Sequence, residues 1–133
     1  MSVYENLYFN TRLCGSDYEE GQIHALIEEA LLDFDLQEAR DLKVGDAFAT
    51  ILSGGQRKRL NIALELIREP SILLVDEPTS GLSSADSENV ISLLKRQTIK
   101  GKLVIANIHQ PSSDVFKMFD KLLVMDQGGR VIY

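Results

Sequence analysis

The chain has 133 residues, a formal net charge of −6, an apolar fraction of 44% and a charged fraction of 26%, which suits one soluble domain with a real core. The acidic balance argues against bulk attraction to nucleic acid, so any phosphate binding must be local. One cysteine, Cys14, and two histidines allow neither an internal disulfide nor a metal cluster built from those residue types, and they fit a reducing, cytoplasmic compartment.

No apolar run approaches the roughly 20 residues of a membrane span, and no signal peptide is visible. The first half reads as helical. Ser2 and Glu5 form a capping box opening a helix to Leu13 that carries Val3, Leu7 and Leu13 among aromatics. Glu5-Asn6-Leu7-Tyr8-Phe9 also resembles a protease-tag site, but Asn10 departs from it and the helical pattern reads as native. Gly15 is expected to end this element. Ser16 and Glu19 are expected to open a second helix, in which Ile23, Leu26, Ile27, Ala30, Leu31 and Phe34 recur at helical spacing while His24 faces solvent. Residues 35–42 suggest a short helix or turn, and Lys43-Val44-Gly45-Asp46 a loop.

Ala49-Thr50-Ile51-Leu52 reads as loop or extended chain before the stretch that organises the sequence, Ser53-Gly54-Gly55-Gln56 followed by Arg57-Lys58-Arg59. Ser53 is an N-cap candidate for a helix running to Arg68, and the glycines let backbone approach a ligand closely. Open N–H groups at a helix start favour an anion. Three cations in the first turns are unfavourable there by about 0.3–1 kcal/mol each, and a phosphate would relieve the misfit. The plainer alternative is a glycine-containing loop before a helix with a solvated basic face.

After Pro70 the character changes. Ile72-Leu73-Leu74-Val75 is an unbroken β-rich run of the kind a strand buried on both faces requires, which predicts a parallel sheet. A helix over 83–100 carries Val90, Ile91, Leu93 and Leu94 inward, with Gly101 as terminator. A second strand spans 103–108, a short helix 112–119, and a third strand 122–125 that Gly128-Gly129 turns into Arg130-Val131-Ile132-Tyr133. Helix and strand alternate here, so the chain is expected to be α/β after an all-α first part: residues 1–68 helical, residues 69–133 α/β.

Ligands in open α/β sheets bind beyond the carboxyl ends of the strands, and Asp76-Glu77 and His109-Gln110 stand there. Asp76 suits Mg²⁺, directly or through water. Glu77 suits a proton acceptor for an attacking water. The alternatives are a strand-end carboxylate capping the next turn, and a histidine hydrogen-bonded to its neighbours.

Leu52-Ser53-Gly54-Gly55-Gln56 resembles the signature motif of ABC ATPases, and Ile72-Leu73-Leu74-Val75-Asp76-Glu77-Pro78 resembles their Walker B with its catalytic glutamate. Ser80-Gly81-Leu82-Ser83 stands where the D-loop belongs, and His109 where the switch histidine belongs. Ile108-His109-Gln110-Pro111-Ser112-Ser113, Phe119-Asp120-Lys121-Leu122-Leu123 and Gly128-Gly129-Arg130 resemble the G-type (white or pleiotropic-drug-like) transporters in particular. So do Gly54 through Arg59 and Val44-Gly45-Asp46.

The resemblance implies a partial P-loop NTPase core with a parallel sheet, preceded by a helical subdomain that docks on the transmembrane domain of a transporter. It implies that Ser53, Gly54, Gly55 and Gln56 bind the γ-phosphate end of an ATP held by a second nucleotide-binding domain. Asp76 would serve Mg²⁺, Glu77 would polarise the attacking water, and His109 would sense the γ-phosphate. The chain would then lie on the cytoplasmic face of a membrane, peripheral to it, with no nucleic-acid partner.

Two departures stand out. Ser83 replaces the aspartate that usually closes the D-loop; Asp86, three residues on, reads as a first-turn helix residue. No G-x-x-x-x-G-K-[ST] loop occurs, so the sequence resembles the C-terminal part of a nucleotide-binding domain, expected to be inactive alone. Two other readings are an ABC ATPase that moves no solute and a stand-alone interaction module. Absence of a Walker A strand is expected to leave unpaired sheet edges that close up or pair with another copy.

Overall fold

A computed structural model describes residues 1–14, 18–45 and 52–133. Gly15 and Ser16, Asp46, and the run Ala49-Thr50-Ile51 lie outside the described residues. In chain order the elements are α1 (Val3–Cys14), α2 (Glu20–Asp33), a 3₁₀ turn (Gln37–Ala39), α3 (Gly54–Leu66), β1 (Ile72–Asp76), α4 (Ser84–Ile99), β2 (Leu103–Asn107) and α5 (Ser113–Lys117).

Helix α1 begins as its sequence dictates. Ser2 Oγ accepts the Glu5 N–H at 3.1 Å, and the Glu5 carboxylate accepts the Ser2 N–H at 2.7 Å. Val3, Leu7 and Thr11 recur every four residues on the buried face, and Thr11 satisfies its hydroxyl on the Leu7 carbonyl. Leu7, in the middle of the tag-like stretch, is fully buried. The second capping box differs from expectation: α2 starts at Glu20, and Gln22 closes back on the Glu19 N–H at 2.9 Å. Ile23, Ile27, Ala30 and Leu31 face inward. The start of α1 is tied to the segment after the 3₁₀ turn by Val3 N–H to Leu42 O and Tyr4 N–H to Arg40 O, each 3.0 Å.

An aromatic and charged cluster covers the α1–α2 seam. The Tyr4 hydroxyl meets His24 Nδ1, and their rings stack. Arg40 lies over the Tyr4 ring at 4.5 Å while pairing with Glu28 at 2.8 Å. Tyr8 donates to Glu20 at 2.8 Å. Burial pushes the Tyr4 phenol above its ordinary value, with Arg40 opposing.

Helix α4 is the pivot: α3, β2 and α5 all pack on it. Val90, Ile91, Leu93 and Leu94 are buried along it. It ends in a Schellman turn, Gly101 at φ 90° donating to Thr98 O and Lys102 donating to Gln97 O. Its last turn also holds α2, since Arg96 donates to the Asp33 carbonyl at 3.2 Å and Lys100 pairs with the Asp33 carboxylate. One continuous apolar cluster runs from Val3 to Val115.

The sheet corrects two expectations. Strands β1 and β2 pair in parallel, in register from Ile72–Leu103 to Asp76–Asn107. Only one of their faces is covered. Leu73 is buried, whereas Ile72, Leu74, Leu103 and Ile105 are 58, 73, 54 and 53% exposed. The unbroken apolar run therefore has a layer on one side only. Residues 122–125 join no sheet among the described residues. They fold back instead, with a single antiparallel bridge between Met125 and Val131 and a turn at Gly128 and Gly129, both at positive φ. Without an intervening neighbour beside β2, a third parallel strand has nothing to pair with, and local hairpin hydrogen bonds satisfy its backbone instead.

Candidate functional site

Ser53 is extended (φ −62°, ψ 160°) and caps α3. Its Oγ accepts the Gln56 N–H at 3.1 Å, and Gln56 Oε1 accepts the Ser53 N–H at 2.9 Å. This reciprocal box spends the Gln56 side-chain oxygen on the backbone. Among the described residues the Gly54 and Gly55 N–H groups make no hydrogen bond, as expected of the first turn. Gly54 lies against Leu82, where a Cβ would come within 3.2 Å of Cδ2. Gly55 lies against Asp86.

The basic run does not form one face. Arg59 is buried, reaching the Asp35 carbonyl at 3.4 Å, and its Nε has no partner among the described residues. Lys58 donates from Nζ to the Glu77 carbonyl at 2.9 Å. Arg57 stays exposed. Interior packing and a neighbouring carbonyl thus take up two of the three charges for which the sequence suggested a phosphate.

At the end of β1, Asp76 is opposite Asn107, whose side-chain amide donates to Asp76 Oδ1 at 2.9 Å. Glu77 turns out of the strand at φ 44°, and its N–H still reaches Asn107 O at 2.9 Å. Its carbonyl accepts the Ser80 N–H at 3.2 Å, closing a turn. Gly81 follows at φ 74°, the left-handed region that a side chain resists. Ser83 then caps α4, accepting the Asp86 N–H at 3.1 Å and donating to the Asp86 carboxylate at 2.7 Å. Asp86 is thus a first-turn residue of α4, as its spacing suggests.

Two clefts result, one on each side of this turn. One, of about 380 Å³, is lined by Glu77, the turn, and His109 with Gln110 beyond β2. The other, of about 730 Å³, is lined by Ser53, Gly54, Arg57 and Lys58 together with Ser80, Gly81 and Leu82. The fold therefore brings Glu77 and His109 together, and Ser53 and Gly54 together. Gly55, Gln56 and Asp76 line neither cleft: Gly55 is packed, Gln56 caps, and Asp76 is exposed beside Asn107.

Two partners here escaped the sequence reading. Lys58 was hidden inside a charge run, and Asn107 would have been found from strand register, which pairs it with Asp76.

No three metal-ligating side chains cluster among the described residues. One carboxylate with an oxygen to spare, as at Asp76, fits Mg²⁺, which takes one or two carboxylates and completes its shell with water and phosphate oxygens.

The sequence model of the ABC transporter family matches residues 1–80. The chain is 39% identical over 134 aligned positions to ABC transporter G family member 28 of Arabidopsis thaliana, covering 100% of this chain and 12% of that protein. It is 43% identical to the broad substrate specificity ATP-binding cassette transporter ABCG2 of Bos taurus, covering 96% of this chain and 20% of that one. For ABC transporter G family member 51 of Oryza sativa subsp. japonica the identity is 42%, with 100% and 9% covered. The chain thus spans a fifth or less of the length of these relatives. With the match reaching through α3 and β1 to the turn that divides the clefts, this α/β chain belongs to the ABC transporter family.

Proposed function

We propose that the chain is a part of the ATP-binding subunit of a G-type ABC transporter, coupling ATP binding and hydrolysis to solute transport. Residues 1–68 form the helical subdomain that docks on a transmembrane domain, and residues 69–133 the C-terminal half of the ATPase core, at the cytoplasmic face of a membrane. Ser53, Gly54, Gly55 and Gln56 take the γ-phosphate end of an ATP bound by a second nucleotide-binding domain. Here Ser53 and the open amides of Gly54 and Gly55 supply donors. Gln56 contributes by fixing Ser53.

Asp76 serves Mg²⁺, which when bound neutralises phosphate charge. Glu77 orients and polarises the attacking water, and His109 meets the γ-phosphate across the same cleft. The observation that carries this reading is that Glu77 and His109, 32 positions apart by number, line one cleft beyond the ends of β1 and β2. Phosphoryl transfer needs positioning and charge neutralisation, and a chain lacking the lysine-bearing glycine loop supplies half of a shared site.

The test is association with a separate G-type nucleotide-binding domain that carries that loop, followed by sedimentation. The expected result is complex formation with Mg-ATP but not Mg-ADP, lost in Gly54→Asp. Association indifferent to nucleotide overturns the reading in favour of a docking module without nucleotide chemistry.

A further inference from the structure

We propose that Lys58 is a positioning residue that ties the ligand-facing start of α3 to the backbone of Glu77. The role assigned to Glu77 rests on the function proposed above; the tie itself does not. Glu77 holds a left-handed conformation, φ 44°, which an L-residue adopts only when its surroundings impose it. Three hydrogen bonds impose it. Its N–H donates to Asn107 O at 2.9 Å, its carbonyl accepts the Ser80 N–H at 3.2 Å, and the same carbonyl accepts Lys58 Nζ at 2.9 Å.

The first two bonds come from β2 and from the turn itself. Only the third comes from α3, the helix that Ser53 caps. It is also charge-assisted, and so the strongest of the three. A lysine five residues past the cap gains nothing from the helix dipole. The Glu77 carbonyl, whose partial negative charge it meets, gives that side chain a reason to be there. The tie spans the two clefts. Lys58 lines the one with Ser53 and Gly54, and the residue it holds lines the one with His109. A tilt of α3 moves Nζ against the Glu77 carbonyl. The Glu77 backbone then sets where its carboxylate points.

The test uses the isotopically labelled 133-residue chain. In Lys58→Met the Glu77 carbonyl carbon resonance moves upfield as its cationic donor is lost, and exchange of the Ser80 amide speeds up by about tenfold. Lys58→Arg, which still donates, restores both. Methyl signals of Leu7 and Ile27, far from the turn, stay in place and show that the fold is intact. If Lys58→Met does not fold, Lys58→Gln carries the same comparison. An unmoved Glu77 carbonyl in a folded variant overturns the proposal, as does failure of Lys58→Arg to restore it. A moved carbonyl with no ATP-dependent association leaves the tie standing and removes only its nucleotide role.

Discussion

A Cβ on Gly55 would stand 2.6 Å from Asp86 Oδ1 and 3.0 Å from its Cγ. Asp86 cannot swing aside freely, because the Ser83 hydroxyl holds its carboxylate while its own N–H donates to the same capping oxygen. The second glycine of α3 is therefore a packing requirement between two helix starts, whatever else the backbone there binds. Gly55→Ala is expected to destabilise the chain by about 1–3 kcal/mol, the usual range for overpacking. Urea unfolding checks this, and Gly55→Ala combined with Asp86→Ala should recover part of the loss because the two sites share one contact. Equal losses in the single and double variants would mean that the cost lies elsewhere.

The Tyr4 phenol, raised above 10.0 by burial against α2, makes stability depend on alkaline pH. The unfolded chain gives up its proton first, so between the two values the native state holds more protons and stability falls as pH rises. Below that window Tyr4 contributes no pH dependence. Unfolding midpoints compared at about pH 9 and about pH 11 should drop for the parent chain. They should drop less for Tyr4→Phe. An equal drop in both would assign the alkaline loss to other groups.

The open face of β1 and β2 presents Ile72, Leu74, Leu103 and Ile105 together, with strand edges beside them. Contiguous exposed apolar surface of this kind drives association. The chain is expected to self-associate in sedimentation, and Leu74→Lys to reduce it while changing stability by no more than about 0.5 kcal/mol, as for other exposed positions. A parent chain that sediments as a monodisperse monomer would contradict the expectation.

On the proposed function, the chain by itself hydrolyses ATP no faster than background. Coupled phosphate release measured with Mg-ATP checks this. Turnover above background that disappears in Glu77→Gln would show that the residues present complete a site without a glycine-lysine loop.

Local chemistry was the legible part of the sequence. Ser2 with Glu5, the Ser53 cap, the inward stripe of α4 and the Gly101 terminator all depend on residues within a turn or two of each other, and each is found where the spacing puts it. Apart from the second capping box, which forms at Glu19 and Gln22, what failed depended on partners distant in sequence. The apolar run at 72–75 specifies a strand, but whether both its faces are covered depends on which layers exist. Residues 122–125 carry strand-like composition yet turn into a hairpin, because pairing is a property of neighbours. At the candidate site the sequence supplied Glu77 and His109, while the inward turn of Arg59 and the reach of Lys58 to a carbonyl 19 residues on arise only from tertiary packing.

The turn from Ser80 to Leu82 is a party wall. It closes both clefts, and it is fastened at one end by the Glu77 carbonyl and at the other by the Ser83 cap. A wall fixed at its ends can bow only a little, and whatever room one side gains the other gives up. Substitutions in these three residues will thus register on both sides at once, and no single one of them can be used to probe one compartment alone.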